Sequence, residues 1–130
     1  MANLVIAIVD DDDAARMAVM ALMRAKGFAV NGYASAEDFL QAEPNLSHCI
    51  ITDIQMPGMT GIELKQRLVV ENCRTPVIMI TARVEQNVYQ MALAAGAFCL
   101  LRKPFKANAL IECVEKALAQ QDDTRNESDV

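Results

Sequence analysis

Five short apolar runs recur along the chain, and each is followed by a segment of helical period. The runs are LVIAIV at 4–9, FAVNGY at 28–33, HCIITDI at 48–54, PVIMIT at 76–81 and AFCLLR at 97–102. FAVNGY is the weakest of them. Helical patterns occupy 13–26, 35–42, 61–72, 85–96 and 107–120. The runs are near-continuous in apolar residues rather than alternating, the pattern of parallel strands covered on both faces. Five rounds of strand then helix predict an α/β fold, a doubly wound five-stranded parallel sheet with helices on both faces. Such sheets bind ligands beyond the carboxyl ends of their strands, where the strand order reverses.

Punctuation supports this division. Gly27 and Gly96 stand where the first and fourth helices should stop. Ser35 precedes Asp38 by three residues, a capping-box-like start for the second helix. The last helix opens with KPFKANAL, where Lys106 opposes the helix dipole, so that start should fray or use Asn108 as a cap. The segment 121–130, QDDTRNESDV, is polar and aperiodic. It is expected to be a flexible tail or the start of a linker after a domain at 1–120.

The 130 residues are enough for one domain with a real core. Although 53% of them are hydrophobic, no apolar run approaches the roughly 20 residues of a membrane span. The N-terminus lacks a basic segment leading into a long apolar run, so a cytoplasmic protein without membrane contact is expected. The formal net charge of −5 argues against direct nucleic acid binding. Cys49, Cys73, Cys99 and Cys113 include no CxxC pair, and His48 is the lone histidine. Reduced structural thiols are expected rather than zinc ligands or a disulfide.

The predicted strand ends carry the chemistry. Asp10, Asp11, Asp12 and Asp13 follow the first run without a break. Two unit charges about 4 Å apart repel by roughly 4 kcal/mol at an effective dielectric near 20. Helix capping accounts for one or two of these acids, and Asp12 is the natural cap; the rest call for water or a cation. In a parallel sheet all carboxyl ends share one rim. Asp53 ends the third strand, Thr81 ends the fourth, and Lys103 follows the fifth. Asp10, Asp11 and Asp53 are balanced in charge by one divalent cation and Lys103. Mg²⁺ suits such an oxygen-rich site. A carboxylate beside Mg²⁺, an ammonium and a hydroxyl is well placed to attack a phosphoryl group.

The motifs IVDDD at 8–12, TDIQMPGMTGIEL at 52–64, PVIMITA at 76–82 and LRKPF at 101–105 resemble the receiver (CheY-like) domains of two-component response regulators. The resemblance covers residues 4–120, and YASAEDFL with MPGMTGIEL is most similar to receivers fused to LuxR-type DNA-binding domains. It implies a (βα)5 flavodoxin-like fold and a phosphorelay switch rather than an enzyme for external metabolites. Asp53 would accept a phosphoryl group from a histidine kinase, a phosphotransfer protein or a small donor, and would then lose it by self-dephosphorylation. Asp10, Asp11 and Asp53 would hold Mg²⁺ with the backbone carbonyl of Gln55. Thr81 would be the switch hydroxyl and Lys103 the phosphoryl's ion-pair partner. Pro104 would follow a cis peptide, and Pro57 and Gly61 would shape the loop after Asp53.

One position departs from the family. Where an aromatic residue usually precedes the lysine by three, this chain has Leu100, which cannot serve as a swinging ring. Gln55 and Arg83 flank the route by which a hydrolytic water would enter. Two surfaces are candidates for partners. Arg16, Met17, Met20 and Arg24 fall on one side of the first helix, opposite Ala18, Val19 and Leu22, which suit the core. Val88, Tyr89 and Leu93 on the fourth helix, beside the fifth strand, could form a homodimer face or pack as plain core.

Rival functions are distinguishable. A receiver-like binding module that works without phosphorylation would use the acidic pocket only structurally. A haloacid-dehalogenase-type phosphatase would want Asp-x-Asp followed by Thr, whereas here Ala14 and Ala15 follow the acidic run. A nucleotide switch lacks its GxxxxGK loop.

Overall fold

The computed structural model describes residues 4–42, 44–83 and 85–128. Its elements are β1 (Val5–Val9), α1 (Asp13–Ala25), β2 (Ala29–Tyr33), α2 (Ala36–Gln41), β3 (Cys49–Asp53), α3 (Gly61–Val70), β4 (Val77–Thr81), α4 (Gln86–Ala95), β5 (Cys99–Arg102) and α5 (Ala107–Ser128). All four strand pairings are parallel, in the order β2-β1-β3-β4-β5. The order reverses between β1 and β3, the crevice that the doubly wound pattern reserves for ligands. There Val9 pairs with Thr52, which leaves Asp10 and Asp53 side by side one residue beyond the ladder.

The sheet buries both faces because successive side chains of a strand point in opposite directions. Ala7, Val9, Ile50, Val77 and Met79 meet Phe39 of α2, Leu64 and Leu68 of α3 and Ala92 of α4. Ile6, Ile8, Cys49, Ile51, Ile78 and Ile80 meet Met23 of α1 and Leu110, Val114 and Ala117 of α5. Phe39 is fully buried, edge-on to Tyr33 with ring centroids 5.2 Å apart. Truncation of such a ring to alanine costs about 3–5 kcal/mol.

The helix ends follow local chemistry. Asp12 caps α1, its Oδ1 accepting the Ala15 N–H at 3.0 Å. Ser35 caps α2 by accepting the Asp38 N–H at 3.0 Å. The complete reciprocal capping box lies on α3, between Thr60 and Glu63. Gly27 and Gly96 adopt φ of +93° and +101°, left-handed conformations that glycine adopts without a Cβ clash.

Some local expectations are corrected. Ala18 is exposed rather than in the core, while Met20 packs with Val19 and Leu22 against the α1/α5 core. The side chain of Arg16 is only 17% exposed. The Arg16/Met17/Met20/Arg24 side of α1 is therefore open chiefly at Met17 and Arg24. Asn108 lies inside α5, and the carbonyl of Lys106 accepts the first helical hydrogen bonds from Ala109 and Leu110. The backbone of α5 runs to Ser128, past the end at 120 set by its apolar positions. Val88 packs against the α2–α4 core, while Tyr89 and Leu93 are exposed.

All four cysteines are free. Burial pushes the Cys49 thiol up to about 12. The same cause, with a hydrogen bond to Cys113, pushes Cys99 to about 12, so both stay neutral. His48 accepts the Val5 N–H at 3.0 Å, binding the start of β1 to the approach of β3.

Candidate functional site

The rim of the sheet assembles the acids that the sequence separates. Ligand atoms of Asp10, Asp11 and Asp53 all lie within 4.8 Å of one another. Asp10 is buried, and its Oδ1 accepts the Asp12 N–H at 3.0 Å, which fixes that carboxylate. Asp11 faces solvent. Lys103 Nζ stands 3.7 Å from Asp10 Oδ2 and 3.6 Å from Asp53 Oδ2. Three carboxylates against one ammonium leave a site short of positive charge. Its hard oxygen donors match a divalent cation of the magnesium or calcium type.

Asp53 shows the imbalance. Burial raises its pKa above the ordinary carboxylate value, Lys103 pulls it back, and Asp10 pushes it up again. The side chain is only 12% exposed. Partial desolvation and a neighbouring like charge make a carboxylate costly unless a cation joins it.

The supporting loops bring the other groups in. The Lys103 N–H donates to the Thr81 carbonyl at 2.8 Å, tying the end of β5 to that of β4. The Lys103–Pro104 peptide is cis, as expected. Gly61 starts α3 directly under Asp53. A Cβ there would meet the Asp53 carbonyl oxygen well inside van der Waals contact, so this approach requires glycine. Gly58 adopts φ +74°, and the Met59 N–H donates to Glu37 Oε2 at 3.1 Å, which pins the loop to α2.

Thr81 is buried at the same rim, but its hydroxyl is engaged elsewhere. It donates to Gln55 Oε1 at 3.0 Å and accepts the Arg83 N–H at 3.0 Å. The Arg83 guanidinium lies 3.7 Å from Glu85, with both side chains more than half exposed. Leu100 is half-buried against the α2–α4 core and shares a hollow of about 220 Å³ with Thr81, Tyr89 and Arg102.

Sequence reasoning missed two supports. Arg16 donates to the Asp10 carbonyl at 2.9 Å and to Asp13 Oδ1 at 2.7 Å, anchoring the acidic turn from beneath. The Asp13/Arg16 spacing of three was the available signal. Glu37 had none, because its partner Met59 is 22 residues away.

This fold and rim define a response-regulator receiver. Residues 6–115 match the family described as the response regulator receiver domain, and the chain belongs to that family. It is thus a phosphorelay switch domain whose phosphoryl chemistry is performed on itself. Among curated relatives, the transcriptional regulatory protein FixJ of Bradyrhizobium diazoefficiens is 34% identical over 114 residues, 87% of this chain and 56% of that protein. The FixJ of Rhizobium meliloti is 34% identical over 118 residues, 90% of this chain and 58% of that protein. The chain therefore spans somewhat more than half of these relatives. The crystal structure of FixJ-N superposes with a TM-score of 0.84 at 33% identity, covering 92% of this chain and 96% of that one. A receiver domain protein from Methanospirillum hungatei gives 0.88 at 27% identity, covering 95% and 99%.

Proposed function

We propose that Asp53 is the phosphoacceptor of this switch and that Mg²⁺ is its cofactor. The observation that carries this reading is the position of Lys103, 3.6 Å from the Asp53 carboxylate within the Asp10/Asp11/Asp53 cluster. Mg²⁺ would be held by Asp10, Asp11, Asp53 and the Gln55 backbone carbonyl, and when bound it supplies the missing positive charge. An Asp53 oxygen forms the new bond to phosphorus as the donor's bond to phosphorus breaks. Lys103 then pairs with the phosphoryl oxygens as a point charge, and the Thr81 hydroxyl turns to one of them. Water attacking phosphorus later returns the Asp53 carboxylate and inorganic phosphate.

The donor is a sensor histidine kinase or a histidine phosphotransfer protein in the cytoplasm. Residues 1–120 act as the receiver and 121–130 as a tail or the start of a linker, in a receiver most similar to the type fused to LuxR-type DNA-binding domains. No helix among the described residues is long and apolar enough to cross a membrane. Exposed Tyr89 and Leu93 favour a homodimer through the α4/β5 face. Incubation with acetyl phosphate and Mg²⁺ should add one phosphoryl group, labile to hydroxylamine, and Asp53→Asn should abolish it. Undiminished labelling in that variant places the acceptor elsewhere.

A further inference from the structure

A threonine hydroxyl has a single proton to donate, and that of Thr81 is already given away. It goes to Gln55 Oε1 at 3.0 Å, while the Arg83 N–H holds the oxygen from behind at 3.0 Å. Thr81 is only 4% exposed, which limits replacement of either partner by bulk water. A phosphoryl group on Asp53 can receive this proton only if Gln55 gives it up.

We propose that the Gln55 side chain is a latch: it holds Thr81 in the resting state and competes with the phosphoryl group for the threonine proton. The proposal rests on Asp53 as acceptor and Thr81 as the phosphoryl contact. The exchange has a direction, because an anionic phosphoryl oxygen is a stronger acceptor than a neutral amide oxygen. Phosphorylation therefore releases the latch, and hydrolysis restores it. The released amide also has somewhere to go. Gln55 lines a groove of about 770 Å³ between α3 and α4, with Met56, Val88, Met91 and Arg83 among its walls. Leu100 has no polar atom with which to follow the hydroxyl. Gln55 is thus the side chain whose hydrogen bonding must change when Thr81 moves, which makes it a positioning residue for the switch.

The test is a double-mutant cycle on the full chain, with beryllium fluoride as the phosphoryl stand-in, saturating Mg²⁺ and ¹⁹F NMR as the readout. Gln55→Met keeps the length of the side chain and removes the acceptor, and the backbone carbonyl stays. Loss of one competing neutral hydrogen bond should tighten beryllofluoride binding about three- to ten-fold. In a Thr81→Ala background the same substitution should change affinity by less than about two-fold, because the latch has nothing to hold. Unchanged affinity in Gln55→Met overturns the latch. So does an equal gain in the Thr81→Ala background, which would mean that the substitution loosens the loop in general. Failure of the wild type to bind beryllofluoride, or equal binding by Asp53→Asn, overturns the underlying site reading instead.

Discussion

Lys103 Nζ lies 3.6 Å from Asp53 Oδ2 and offsets part of the cost of burying that carboxylate. Lys103→Met removes this offset and leaves burial and Asp10 opposed only by the Ile54 backbone N–H. The Asp53 carboxyl should then titrate at higher pH than in the wild type, as followed by ¹³C NMR in metal-free buffer. An unchanged or lower titration point would show that the ammonium does not act on Asp53.

Burial raises the Asp53 pKa, so the folded chain holds that proton more tightly than the unfolded chain does. The stability contributed by protonation is complete below the unfolded pKa and is lost as pH rises through the folded one. In chelator-treated protein at pH 7, Asp53→Asn should raise the melting temperature, by on the order of 1 kcal/mol or a few degrees. That advantage should shrink as pH falls toward about 4, the ordinary aspartate range. A difference that does not vary with pH would assign the effect to something other than the charge.

Mg²⁺ should stabilise the domain through the Asp10, Asp11 and Asp53 cluster. At ten times its dissociation constant the gain is about 1.4 kcal/mol by mass action. Asp11→Asn should reduce it while leaving the metal-free stability within roughly 0.5 kcal/mol, since Asp11 is exposed. Calorimetry with and without the metal decides this. A wild type indifferent to millimolar Mg²⁺ rules out the cluster as its site.

By its resemblance to receivers, Arg83 is expected to flank the route by which water would reach a phosphoryl group on Asp53. Its pairing with Glu85 is exposed and worth under about 1 kcal/mol, so the guanidinium is free to cover the opening. Arg83→Ala keeps the backbone N–H on Thr81 and should speed acyl-phosphate hydrolysis several-fold, about 1 kcal/mol of barrier. A radiolabel chase with identical decay in both proteins would leave Arg83 a plain surface charge.

Gly61→Ala drives a methyl group into the Asp53 carbonyl oxygen. Backbone must shift, at a cost of about 1–3 kcal/mol, and the shift falls on Asp53, the proposed acceptor. Denaturant melts should show the loss of stability, and labelling from acetyl phosphate should slow. Normal values for both would mean that α3 moves away without disturbing the site.

Local chemistry settled much of this protein in advance. The short apolar runs, the helical period between them and the glycines at 27 and 96 specify elements through forces that act within a few residues. Continuous rather than alternating apolar runs specify a sheet covered on both faces. Shared strand direction then brings Asp10, Asp11, Asp53, Thr81 and Lys103 to one rim without any knowledge of side-chain positions. Rotamers and partners distant in sequence were decided only by tertiary packing. The helical period of α1 placed Ala18 inward and Met20 outward. In the fold Met20 lies over Gly32 of β2 while Ala18 faces solvent, because which side of a helix meets the sheet is decided by its neighbours and not by its own period. The Glu37 bond to the Met59 amide spans 22 residues, and the Thr81 bond to Gln55 spans 26. Such pairs form when the sheet brings two loops together, so no short-range spacing encodes them. The residue types for switching phosphoryl groups are thus written along the chain, whereas the hydroxyl's resting partner exists only once β3 and β4 lie side by side.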